Sequence, residues 1–250
     1  GHLGRIHTRL LQTIDAFELV AVADPVAAAR EEIAKTHSLP VVEDYRSLLD
    51  KIDAAVVASP TSAHLEIGLW CLEHDIHCFV EKPLVRTLRQ ADLLVHVANR
   101  RRRVLQVGHV ERFSPTWQTA APHLSQPRFL ESHRCGVYTG RSTDIGVVFD
   151  LMIHDIDLLL SLVQSPIERV EAYGESVLGS HEDVAHAWIQ FDNGITAALH
   201  ASRVARQATR QMTVRTATGQ VDLDFGAQKV DCIAFGEEVS DEKWSADRLS

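Results

Sequence analysis

The chain has 250 residues, 45% hydrophobic and 24% charged, with a formal net charge of −9. That length carries one large domain or two smaller ones, and the acidic balance argues against nucleic acid as the main partner. No apolar run approaches the ~20 residues of a membrane span and no signal peptide is visible, so no membrane partner and a cytoplasmic location are expected.

The chain opens on Gly1-His2-Leu3-Gly4 and runs into a helical pattern of Ile6, Leu10, Leu11 and Ile14. Glycines so placed let backbone approach a pyrophosphate at a helix N-terminus, although a tight turn reads the same. Residues 17–23 read as a buried strand ending at Asp24. That carboxylate lies about 20 residues past Gly4, where a dinucleotide fold holds the ribose hydroxyls. It would repel a 2′-phosphate, which favours NAD over NADP. Asp24-Pro25 also fits a helix cap with a first-turn proline.

The alternation continues with helices over 27–37, 45–51, 63–74 and 87–100, and strands over 41–42, 53–59, 77–80 and 104–107. Arg100 to Arg103 reads as the basic end of the last helix. Strands alternating with helices predict a parallel sheet of βαβ units, whose ligands bind beyond the carboxyl ends of the strands. Gly1–Gly4, Asp24, Ser59–Thr61, Glu81-Lys82 and Gly108–Arg112 all fall at such ends. Lys82 is either a solvated loop lysine or a donor to a substrate hydroxyl. The cysteines Cys71, Cys78, Cys135 and Cys232 have neither metal-site nor disulfide spacing and read as reduced packing residues. His74-x-x-His77 has no third ligand nearby, so no metal is expected.

A helix over 114–124 leads into the second half, followed by a strand over 128–137. Residues 138–145, with Arg141, form either a substrate lid or a plain connection. The apolar stretch from Gly146 to Ser161 reads as a buried helix. At helical period Asp150, His154, Asp157 and Ser161 share an arc of about 60°. That stripe is either the solvent face of an amphipathic helix or an acid/base site, with Asp150 one turn from His154 and able to orient its ring. Strands over 169–175, 183–191, 195–202, 211–216, 220–225 and 229–235 follow, with Asp192-Asn193-Gly194 as a hairpin turn. The expected division is a dinucleotide-binding domain over 1–113 and a substrate-binding and oligomerisation domain over 114–250.

Four phrases occur in order: Gly1-His-Leu-Gly4 with Asp24, Ser59-Pro-Thr-Ser-Ala-His64, Glu81-Lys82-Pro83, and Gly146-x-x-x-Asp150-x-x-x-His154-x-x-Asp157. With them the chain resembles the glucose–fructose oxidoreductase / inositol dehydrogenase (Gfo/Idh/MocA) family of NAD(P)-dependent sugar oxidoreductases. Gly108-His-Val-Glu-Arg-Phe-Ser-Pro115 and Val148-Phe-Asp-Leu-Met-Ile-His-Asp-Ile-Asp157 resemble the branch that oxidises the 3-hydroxyl of UDP-N-acetylglucosamine. The resemblance implies an α/β chain: a Rossmann-type doubly wound parallel sheet, then an α+β domain with an open, largely antiparallel sheet. It implies that Lys82, Asp150 and His154 meet at the nicotinamide, and that the peptide before Pro83 is cis. Gly1, His2, Leu3, Gly4, Asp24, Ser59, Pro60, Thr61, His64, Glu81 and Lys82 are the implied cofactor residues. Arg112, Arg141 and Asp157 are the substrate candidates; Arg112 fits either a sugar-nucleotide phosphate or an ion pair with a neighbour. Relatives pack the open sheet on another subunit, so a homo-oligomer is expected. The strand before Gly1, and the strand and closing helix that relatives carry after Ser250, are missing, so the sequence is expected to be clipped at both ends. An inositol or free-sugar dehydrogenase and a non-catalytic NAD-binding regulator are the alternative functions.

Overall fold

A computed structural model describes residues 1–140 and 145–235. It holds two compact units, one over Gly1–Gly108 and one beginning at His109.

In the first unit, helices α1 (His2–Leu11), α2 (Ala27–His37), α3 (Thr61–Glu73) and α4 (Leu88–Arg101) alternate with short strands. The strands are β1 (Val22–Ala23), β2 (Val41–Val42), β3 (Ala54–Val57), β4 (His77–Val80) and β5 (Leu105–Val107). All pairings are parallel, as the βαβ alternation predicts. They form two sheets instead of one, β1-β2 and β3-β4-β5. The expected strand over 17–23 shrinks to Val22–Ala23, which pairs with β2. Tyr45–Leu48 is a single 3-10 turn capped by Asp44.

The apolar runs of β3 and β4 pack Val57, Cys78 and Val80 against Cys71 and Leu72 of α3 and Leu94 and Val97 of α4. Gly68 permits that approach, since a methyl there would come within 3.1 Å of Leu94. The basic run ends α4, with Arg102 in the left-handed conformation as its cap. All four cysteines are free thiols.

The second unit is built on a seven-stranded sheet. Its strands are β6 (Pro127–Cys135), β7 (Ile167–Glu175), β8 (Val184–Phe191), β9 (Thr196–Ser202), β10 (Thr209–Thr216), β11 (Gly219–Asp224) and β12 (Lys229–Ala234), ordered β12-β11-β10-β6-β9-β8-β7. Every neighbour is antiparallel except β6 with β9. Strand alternation puts Leu130, Ala185, Ile189, Leu199, Met212 and Val214 on the inner face. There they pack with Trp117, Leu124, Met152, Leu158 and Leu159. Gly194 turns the β8–β9 hairpin at a φ of 83°.

Two predicted helices are interrupted. The one over 114–124 is α5 (Pro115–Ala120), capped by Ser114 and continued by a 3-10 turn over Ala121–His123. The one over 146–161 begins as a π-helical turn, Val148–Met152, and only then becomes α6 (Ile153–Leu162). The stripe from Asp150 to Ser161 therefore spans two kinds of turn, with Asp150 in the π-turn and His154, Asp157 and Ser161 in α6.

Candidate active site

In the first unit the loops after β1, β3, β4 and β5 carry the candidate residues. Gly1 N lies 3.5 Å from Asp24 Oδ2, which brings the glycine phrase to the end of β1. Gly1 to Gly4 form no free-standing turn, because Gly1 caps α1 and His2, Leu3 and Gly4 are its first residues. No side chain caps that helix, and a methyl at Gly1 or Gly4 would meet no atom. Asp24 also accepts the Val26 N–H at 2.9 Å, a local turn ahead of α2; the helix itself is capped by Val26 without a side-chain bond, so Asp24-Pro25 is not its cap and first-turn proline. Pro60 caps α3 without a side-chain bond, leaving Ser59 and Thr61 beside another helix start.

Glu81 and Pro83 of the Glu-Lys-Pro phrase are buried and Lys82 is half-buried. Glu81 lies 2.6 Å from His7 Nε2 and accepts the Lys82 N–H at 3.3 Å. Gly108 is required beside it, since a methyl there would come within 2.9 Å of Glu81 Oε2. The Lys82–Pro83 peptide is cis, as the resemblance implies.

His64 differs from its expected place among the cofactor contacts. It is 1% exposed. Its Nε2 lies 2.9 Å from the Ser59 carbonyl, and its Nδ1 lies 3.0 Å from that of Pro83 and 3.2 Å from that of Leu84. The buried ring sits between carbonyls of the loop after β3 and the loop after β4, and the nitrogen that carries its proton donates to one of them.

In the second unit the π-turn carries Asp150 and the first turn of α6 carries His154. Val147 N–H bonds the Glu182 carbonyl at 3.0 Å, and Val148 N–H the Glu182 carboxylate at 3.3 Å, which fixes the start of the turn. Gly146 leaves room for that carboxylate. Asp157 and Arg112, both expected on substrate, bind each other: Arg112 Nε and Nη2 each donate to the carboxylate at 2.6 Å. That bidentate geometry occupies Asp157 and turns the guanidinium fork onto the protein, which favours the ion-pair alternative for Arg112. Ser161 donates to the Leu158 carbonyl. Arg141 lies outside the described residues.

Sequence reasoning missed three participants. Asp155 sits on the apolar side of α6, where a carboxylate signals a buried partner, and Arg134 of β6 supplies it. The third, His7, projects from α1 onto Glu81, a contact with no local sequence signal. Among the described residues no group of histidine, cysteine and carboxylate side chains could hold a metal, and no helix is long and apolar enough to cross a membrane.

Comparison with known proteins bears on this arrangement. Residues 1–109 match the family described as "Oxidoreductase family, NAD-binding Rossmann fold", and residues 108–222 match the "GFO/IDH/MocA C-terminal domain". UDP-N-acetylglucosamine 3-dehydrogenase of Acidithiobacillus ferrooxidans is 34% identical over 226 residues, which are 90% of this chain and 72% of that protein. The scyllo-inositol 2-dehydrogenase (NAD(+)) of Bacillus subtilis is 27% identical over 82% of this chain and 66% of its own length. A solved structure of the Acidithiobacillus enzyme superposes with a TM-score of 0.89 at 33% identity, covering 94% of this chain and 78% of that one. The chain spans between about two thirds and three quarters of these curated relatives. The chain belongs to the Gfo/Idh/MocA family of oxidoreductases, and its first unit carries the family's NAD-binding fold.

Proposed function

We propose that the protein oxidises a secondary alcohol of a sugar, the 3-hydroxyl of a UDP-N-acetylglucosamine-type sugar nucleotide, with NAD as acceptor. The similarity to the Acidithiobacillus enzyme carries the substrate reading. The Glu81-Lys82-Pro83 loop and the Asp150/His154 turn carry the chemistry.

The residues present fit a dinucleotide. The uncapped start of α1 and the open space beside Gly1 and Gly4 suit a pyrophosphate, and Asp24 at the end of β1 suits ribose hydroxyls. The carboxylate is the ground for NAD over NADP. Bound NAD would supply the hydride acceptor.

His154, oriented by Asp150, takes the hydroxyl proton in this reading. Lys82 donates a hydrogen bond to the same oxygen and stabilises its developing negative charge. The Glu81–His7 pair and His64 hold the backbone on which Lys82 stands. A homo-oligomer belongs to the same reading, because the outer face of the seven-stranded sheet exposes Trp188 and Tyr173.

The test is nicotinamide reduction by wild type, Lys82→Ala and His154→Ala with UDP-N-acetylglucosamine, inositols and free hexoses. Loss in both variants is expected. Turnover confined to inositols or hexoses would replace the substrate, and NAD binding without any turnover would point to a regulator.

A further inference from the structure

Two carboxylates that follow His154 in α6, Asp155 and Asp157, are both tied down and linked to one short segment, Glu111-Arg112. Arg134 of β6 donates from Nε to both Asp155 oxygens at 3.1 Å and from Nη2 to Oδ1 at 2.8 Å. The same guanidinium reaches Glu111 from Nη1 at 3.4 Å. The next residue, Arg112, grips Asp157 by two bonds of 2.6 Å. The loop closes on itself: Asp155 to Arg134, Arg134 to Glu111, Glu111 through the chain to Arg112, Arg112 to Asp157, and back along α6.

Helical geometry gives the loop a meaning. Around the axis, Asp155 lies about 100° to one side of His154 and Asp157 about 60° to the other. The two anchors therefore straddle the imidazole. α6 also packs Leu158 and Leu159 into the apolar core, and His109 Nδ1 lies 3.8 Å from Asp157. Apolar burial is non-directional and resists rotation of a helix about its axis weakly. Bidentate arginine–carboxylate pairs are directional and resist it strongly.

We propose that Glu111, Arg112 and Arg134 are positioning residues that set the rotation of α6 and so the aim of His154. The inference rests on the reading of His154 as the acid/base group. It assigns the Glu111-Arg112 pair to holding the catalytic helix, and Asp157 to receiving that hold.

The test compares wild type with Arg112→Gln, Asp157→Asn, the double variant and Arg112→Lys. Its readouts are kcat, the KM for NAD and amide hydrogen exchange over residues 153–162. Each single substitution to a neutral side chain is expected to lower kcat by about 10- to 100-fold, with the KM for NAD unchanged and exchange over 153–162 faster. The double variant should be no worse than the poorer single, because the two residues act as one unit. Arg112→Lys, a point charge without the fork, should recover only part of the loss. Independent, additive losses would overturn the proposal, as would wild-type kcat and exchange in both singles. If Arg112→Gln fails to fold, Arg112→Lys is read in its place against the same criteria. If wild type turns over no sugar, the functional reading fails and exchange alone decides: unchanged protection over 153–162 in Arg112→Gln overturns the proposal, and faster exchange confined to that segment supports it.

Discussion

Arg134 on β6 and Asp155 on α6 face each other at 2.8 Å with 4% and 2% of their side chains exposed. Burial pushes the Asp155 carboxyl up from its ordinary value, and the Arg134 charge pulls against that. Removing one partner strands the other charge away from water. Asp155→Ala is expected to cost about 3–5 kcal/mol, and Arg134→Met with Asp155→Leu less, because the fully buried pair then leaves together and only the half-buried Glu111 loses a long contact. Urea unfolding of the three proteins measures the difference.

Asp183 sets the acid limb of stability. It accepts N–H bonds from Leu178 at 2.7 Å and Val177 at 2.8 Å, and Arg203 Nε lies at 3.1 Å. The Leu178 bond first, then the Val177 bond and the Arg203 charge, hold its carboxyl below the usual range against the cost of burial. In acid the unfolded chain therefore takes up the proton before the folded one. The stabilisation is complete above the ordinary aspartate value, about pH 4, and is lost as pH falls through the lower folded value. Asp183→Asn should flatten the dependence of unfolding free energy on pH below about 4.

Gly108 bears on cofactor binding. A methyl there would press on the Glu81 carboxylate and on the Phe79 ring. Glu81 cannot yield without loosening its bonds to His7 and the Lys82 N–H. Gly108→Ala is expected to weaken NAD about tenfold, or about 1.4 kcal/mol, in a direct titration.

His64 makes a prediction of a different kind. Its ring serves carbonyls on two loops and is 1% exposed. His64→Leu keeps the bulk but leaves those carbonyls without the ring's donor, a loss of about 1–3 kcal/mol. Thermal unfolding should register that loss, and kcat should fall with it, because the Pro83 carbonyl lies next to Lys82 in the chain.

Much of this was legible from residue pattern. The 27–37 helix, the 77–80 strand and the 229–234 strand stand within a residue of where periodicity places them, because each is a local amphipathic or apolar run between clear breakers. The strand over 17–23 was over-read, because β1 bonds to a single neighbour and pairing ends with β2. The π-turn was invisible, since a wider turn leaves no composition signal and is fixed from afar by Glu182. For the candidate residues the sequence carries type but not partner. Asp157 stands as a substrate candidate and Arg112 as either a phosphate contact or an ion-pair partner, and they lie 45 positions apart in a bond that only the fold creates.

The most direct measurement is NAD reduction followed by absorbance, with UDP-N-acetylglucosamine as substrate and a trap for the keto product. The account predicts a signal in wild type that falls by about 100- to 10,000-fold in both Lys82→Ala and His154→Ala, with NAD still bound. Wild-type protein that binds NAD yet reduces none with sugar nucleotide, inositol or hexose would contradict it.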